Sequence, residues 1–161
     1  MATVLGKKLM LFVKDGETYK SVAYATNHTF TTSASTVSIA SKDDVDIQSG
    51  AGKWDSQELD MFSWSISSEH LFAYEGNGIT CEKVMELYLK GELLDVKFGL
   101  AGSNTPEAPD TNFSAENGWS EATQKFLSGQ VYITSLDINA SNEGRATMSV
   151  TLTGKGAVKY E

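Results

Sequence analysis

The chain has one cysteine, Cys81, two prolines and two histidines in 161 residues, and no long uninterrupted apolar run. A lone cysteine excludes an intramolecular disulfide and fits a reducing compartment. Without about 18 consecutive apolar residues, no helical membrane span is expected. Lys7 and Lys8 precede only the short apolar run Leu9–Val13, so no secretory leader is expected either. The motifs HExxH, CxxC, GxSxG and the phosphate-binding P-loop are missing. His28 and His70 each fall on the mainly apolar parity of an alternating segment, which predicts hydrogen-bonded core histidines. A ligand role would need partners at metal-binding spacing. Asp43-Asp44-Val45-Asp46 resembles the start of a calcium loop. Counted from Asp44, however, the sixth position is Ser49 rather than Gly and the twelfth is Asp55 rather than Glu. These residues predict no catalytic constellation and no metal site.

What is present is aromatic and acidic. Three Trp, six Tyr and seven Phe, with 40% hydrophobic residues, exclude disorder throughout the chain and predict a real core in a single domain, 1–161. The net charge is −8, and its placement is uneven. Segment 42–60 holds six acidic residues against Lys42 and Lys53, and segment 103–124 holds four acidic residues and no Lys or Arg. These two stretches carry the whole excess. Tight binding to nucleic-acid phosphates would need clustered Lys and Arg, so it is not expected.

Alternation dominates the rest. Met61–Glu75 places Phe62, Trp64, Ile66, Phe72 and Tyr74 on one parity and Ser63, Ser65, Ser67, Glu69 and Glu75 on the other, which predicts a strand with one buried face. Similar patterns predict strands at Leu9–Val13, Val22–Thr32, Val37–Ala40, Leu93–Leu100, Val131–Ala140 and Arg145–Lys159, with a Ser-rich turn after the second and a bulge near Ser135. Thr80–Lys90 predicts the helix: Thr80 can cap it, Gly91 can close it, and Val84, Leu87 and Tyr88 form its apolar stripe behind Cys81. The expected fold is mainly β, a β-sandwich or open barrel of about seven strands with one flanking α-helix, and long loops at 41–60 and 101–124. Trp64, Phe72, Phe98, Val150 and Leu152 should be buried, with Val84 and Leu87 packed on the sheet.

The order of these features resembles the major tail proteins, or tail tube proteins, of long-tailed phages and prophages. SIASKDDVD, then GAGKW, FSWSISSEHLFAYEG, ITCEKVMELYLKG with LLDVKFG, and the ending ATMSVTLTGKGAVKY carry the resemblance. It implies a fold similar to the tube protein of type VI secretion. It also implies homo-hexameric rings stacked into a tube through which DNA passes, a place in the virion tail, and assembly in the bacterial host cytoplasm. Partners implied with it are further copies, the tape measure protein, the tail terminator and the baseplate. The resemblance implies no enzymatic activity and no cofactor, no membrane partner and no specific nucleic-acid binding. Two other readings exist: a secreted or surface β-sandwich module binding carbohydrate or a host protein, and a hydrolase. The missing leader and aromatic platform count against the first, and the missing triad or metal set against the second.

Within this frame the acidic loop 41–60 is the expected assembly element, through Lys42, Asp43, Asp44, Lys53, Trp54 and Leu59. Small polar residues and two glycines cannot by themselves offset the entropy of ordering such a loop. Trp54 and Leu59 suit interface anchors that order when rings stack.

Overall fold

A computed structural model describes residues 3–4, 6–39, 57–100, 113–114, 116–119, 121–123 and 125–161. A short 3-10 turn, Gly6–Lys8, leads into β1 (Leu9–Asp15) and β2 (Thr18–Ser21), joined at Gly16 with φ +68°. Two long strands follow, β3 (Ala25–Ser38) and β4 (Gln57–Leu71), then helix α1 (Cys81–Lys90) and β5 (Leu94–Leu100). The small pair β6 (Phe113–Ser114) and β7 (Gly118–Trp119) precedes β8 (Leu127–Asn139) and β9 (Thr147–Tyr160). Seven strands form one sheet in the order β2-β1-β5-β8-β9-β4-β3, with β6 and β7 as a separate pair.

Local chemistry explains the helix as the sequence predicts. Thr80 has extended backbone and its hydroxyl accepts from the Lys83 amide at 3.3 Å; Gly91 ends the helix at φ +66°, a conformation that costs glycine nothing. Cys81, Val84 and Leu87 are buried on one face. Val84 and Leu87 meet Leu11, Val13, Leu94, Ile133, Val150 and Leu152 around a void of only about 20 Å³. Cys81 is thus an apolar core residue, its thiol donating to the Leu71 carbonyl at 3.5 Å; burial pushes that thiol's pKa up.

The expected bulge is present: the β8–β9 register slips between Ile133 and Ser135, and again between Ser128 and Gln130. Three boundaries differ from expectation. Val22–Thr32 and Val37–Ala40 are not two strands, since β3 runs unbroken through the Ser/Thr stretch 31–36. There the hydroxyls bond across to β4, Ser33 to Ser63 at 2.7 Å and Ser35 to the Met61 amide at 3.1 Å, instead of turning the backbone. The 41–60 loop is shorter than expected because β4 begins at Gln57, which places Leu59 in a strand. β2, β6 and β7 had no alternating signature, being two to four residues long.

The chain divides into two compact units, Met1–Thr31 with Ser65–Glu161, and Thr32–Trp64. The second takes in the described residues 32–39 and 57–64 of β3, β4 and their flank, called the arm below. In the first unit Phe30 of β3 stacks on Phe98 of β5, with ring centroids 6.0 Å apart. Strands distant in the sheet order therefore approach, and the sheet curls. Val150, Leu152, Val84, Leu87 and Trp64 are buried as expected; Phe72 and Phe98 are half-buried. Phe12, Ala122 and Phe126 form a second small core on the other face of β1 and β5, with Met10, Tyr19 and Trp119 against it.

A buried serine ties three segments of this unit. The Ser21 amide donates to the Asn117 carbonyl at 3.1 Å, its carbonyl accepts from the Ile79 amide at 2.8 Å, and its hydroxyl accepts from the Trp119 amide at 3.0 Å. Gly78 and Gly118 press against it so closely that a Cβ on either would lie about 2 Å from a Ser21 oxygen.

Candidate assembly surface

The antiparallel register sorts β4, β9 and β8 into two faces. One carries Ile66 and His70 of β4 with Leu152 and Met148 of β9, all buried. The other carries cross-strand rows: Ser67–Thr151–Ser135, Glu69–Ser149–Asp137 and Leu71–Thr147–Asn139. Thr153 continues it, its hydroxyl 2.9 Å from that of Thr134 at the bulge. These rows hold hydroxyls, an amide and two carboxylates and no Lys or Arg. Lys155 is the next residue of its parity on β9, lying 6.0 Å from the Tyr132 ring centroid. Lys97 of β5 is held by Glu121 at 3.0 Å and lies over the Tyr19 and Phe126 rings. A surface of this kind is wetted without presenting a cationic fork to a phosphate.

The arm is different. Val37 on β3 and Leu59, Met61 and Phe62 on β4 are exposed, Phe62 by 75%. An isolated two-stranded hairpin is marginal in water, and one that also exposes large apolar side chains calls for a covering partner. Leu59 of the expected assembly set therefore lies on an exposed strand. Lys42, Asp43, Asp44, Lys53 and Trp54 lie outside the described residues.

The histidines are brought together, which sequence parity could hint at but not establish. Ser68 Oγ lies 3.0 Å from His28 Nδ1 and 3.5 Å from His70 Nδ1, while both Nε2 atoms are buried without a hydrogen-bond partner. Burial, and secondarily the neighbouring His70, pushes the His28 pKa down to about 4; burial also lowers that of His70. Both are neutral at pH 7. A cavity of about 450 Å³ opens beside His28, lined also by Leu9, Met10, Thr26, Asn27 and Phe98. Its described lining offers no carboxylate, thiol or lysine to work with His28. Among the described residues, no three His, Cys, Asp or Glu side chains converge as a metal site would require.

Comparison with known proteins accounts for a surface rather than a pocket. The sequence profile of the phage tail tube protein family matches residues 3–160. No curated protein matches the chain. Among solved structures, the tail of an empty gene transfer agent particle, obtained by helical refinement in C6 symmetry, superposes with a TM-score of 0.67 at 20% identity, covering 99% of both chains. A chain of the native gene transfer agent virion gives 0.66 at 22% identity, again over 99% of both. The SPP1 tail tube gives 0.63 at 13% identity over 99% of this chain and 80% of that one. At these identities the superpositions speak for the fold, and the profile match for the family. The chain belongs to the phage tail tube protein family and is a structural component of a virion tail.

Proposed function

We infer that copies of this chain assemble into hexameric rings stacked as a tube. The Ser/Thr/carboxylate face of β4, β9 and β8 lines the bore through which DNA passes, and the chain carries out no catalysis. The observation that carries this reading is the set of rows Ser67–Thr151–Ser135 and Glu69–Ser149–Asp137, wetted and acidic rows that hold no basic residue. Inward-facing lysines or arginines would release counterions on meeting DNA and grip it; hydroxyls and carboxylates let it slide. The C6 symmetry of the similar gene transfer agent tail supports six copies per ring. Lys42, Asp43, Asp44, Lys53, Trp54 and Leu59 are proposed as contacts between copies. One domain, 1–161, assembly in the host cytoplasm, and contacts with tape measure, terminator and baseplate proteins belong to the same reading.

Negative-stain microscopy of concentrated protein tests it: ring stacks or tubes are expected, and protein that stays dispersed in every condition overturns it. The bore assignment has its own test. Ser149→Lys with Thr151→Lys should leave tubes intact but make them retain duplex DNA in co-sedimentation at physiological salt. Tubes of that variant that hold no more DNA than the parent overturn the lining.

A further inference from the structure

The arm exposes apolar residues beside carboxylates, and the first unit carries a surface with matching chemistry. β3 and β4 each have two ends. Ser38 and Gln57 end the arm; Ala25 and Leu71 end the part within the sheet. Just beyond this second pair of ends lie Tyr24, Phe72 and Tyr74. Three backbone contacts gather them. The Leu71 amide donates to the Tyr24 carbonyl at 3.1 Å, the Phe72 amide donates to the Ala146 carbonyl at 2.8 Å, and the Tyr24 ring covers Gly76, where a Cβ would come within 2.8 Å of it. Phe72 and Tyr74 meet edge to face, centroids 5.2 Å apart.

Two features of this surface are not explained by folding of the chain alone. Tyr24 is a non-glycine residue at φ +54°, a conformation that costs energy, and its ring is nevertheless exposed. Tyr74, too, is 66% exposed, in the bend beyond the end of β4. Arg145, the only arginine of the chain, adjoins the Ala146 that binds Phe72. It is exposed and makes no ion pair among the described residues, not even with Glu75 or Glu143, the nearest carboxylates in sequence. Aromatic side chains with an unengaged arginine are the composition of an interface centre. The exposed Leu89 on α1 is a weaker candidate, because a single apolar residue beside Glu86, Lys90 and Glu92 is ordinary surface.

We propose that the surface formed by Tyr24, Phe72, Tyr74 and Arg145 receives the arm of a second copy. Leu59, Met61 and Phe62 pack on the aromatic rings while Glu58 or Asp60 pairs with Arg145. The occupant is a second copy because the chain itself supplies the complement: Leu59, Met61 and Phe62 beside the carboxylates of Glu58 and Asp60 on the arm, and exposed aromatic rings with the Arg145 guanidinium on the first unit. Two different patches of one chain make a heterologous contact, which propagates instead of closing into a dimer. This inference rests on the tube reading and adds the acceptor to it.

The test is polymerisation of folded, full-length variants. Arg145→Glu and Tyr74→Ala are exposed-site changes and should keep the parent's circular dichroism and melting temperature while raising the concentration needed for tubes at least tenfold. Glu58→Lys with Asp60→Lys should do the same, and combining it with Arg145→Glu should restore tubes by exchanging the charges. If Arg145→Glu and Tyr74→Ala polymerise at the parental concentration, or the exchanged variant stays dispersed, the acceptor is wrong although the tube reading stands. If the parent chain never polymerises, both fall.

Discussion

Ile66 and Phe62 are four residues apart on β4 and share its parity, yet Ile66 is 1% exposed and Phe62 75%. The same strand thus serves two regions with opposite rules. In the first unit, alternation is completed by α1 and the curled sheet, so one parity is covered and the other wetted. In the arm the described residues of both parities from Gln57 to Ser63 of β4 reach solvent, and a two-stranded ribbon brings no layer of its own to cover them. Alternation names a face; only a second layer buries it. In an assembling protein that layer can be another copy.

Substitutions can break or sharpen this contrast, and the largest effect is expected in the sheet. Phe12, fully buried against Ala122 and Phe126, should cost about 3–5 kcal/mol when changed to Ala, read by denaturant unfolding of the dispersed protein. A loss below about 1 kcal/mol would mean that this second core contributes little to the first unit.

A somewhat smaller effect is expected from acid. His28 has a folded-state pKa near 4 against an ordinary value of 6.5, so the unfolded chain binds the proton more readily. Stability is therefore complete above about pH 6.5 and is lost as the pH falls toward 4, by roughly 3 kcal/mol at 1.36 kcal/mol per pKa unit. The described residues give the Ser68-linked pair no carboxylate to offset its charge. His28→Gln should flatten the slope of stability between pH 6.5 and 4; an unchanged slope would place the acid sensitivity elsewhere.

The smallest effect is expected in the arm. Phe62→Ser, large on paper, should change the unfolding free energy of the dispersed protein by no more than about 0.5 kcal/mol. Melting that falls sharply would show that the arm is covered within its own chain, and would erase the distinction between the two regions.

Much of the first unit was legible in the residues. The helix announced itself through Thr80, Gly91 and the Val84–Leu87 stripe, and the bulge through the phase change between Ile133 and Leu136. The arm was less so. Ser33 and Ser35 read as a turn because serine hydroxyls often bond nearby backbone, whereas here they reach across the ribbon. Phe62 read as buried because parity cannot tell whether a layer is present. The expected assembly residues were chosen for charge and isolated hydrophobicity. Of them only Leu59 falls on described structure, and Tyr24 and Arg145 were passed over. Their signals, a strained backbone and a guanidinium without an ion pair among the described residues, exist only in three dimensions.

The Ser21 tie has a consequence for descent. The Ser21 carbonyl oxygen fills the space that a side chain at Gly78 would need, and its hydroxyl the space that one at Gly118 would need. A larger residue at either glycine needs room that Ser21 already fills, and losing the hydroxyl strands the Trp119 amide. Drift at Ser21 and Gly118 is therefore constrained jointly, while Gly78 is held by backbone whatever side chain stands at position 21. Positions 97 residues apart are thereby inherited as a single character.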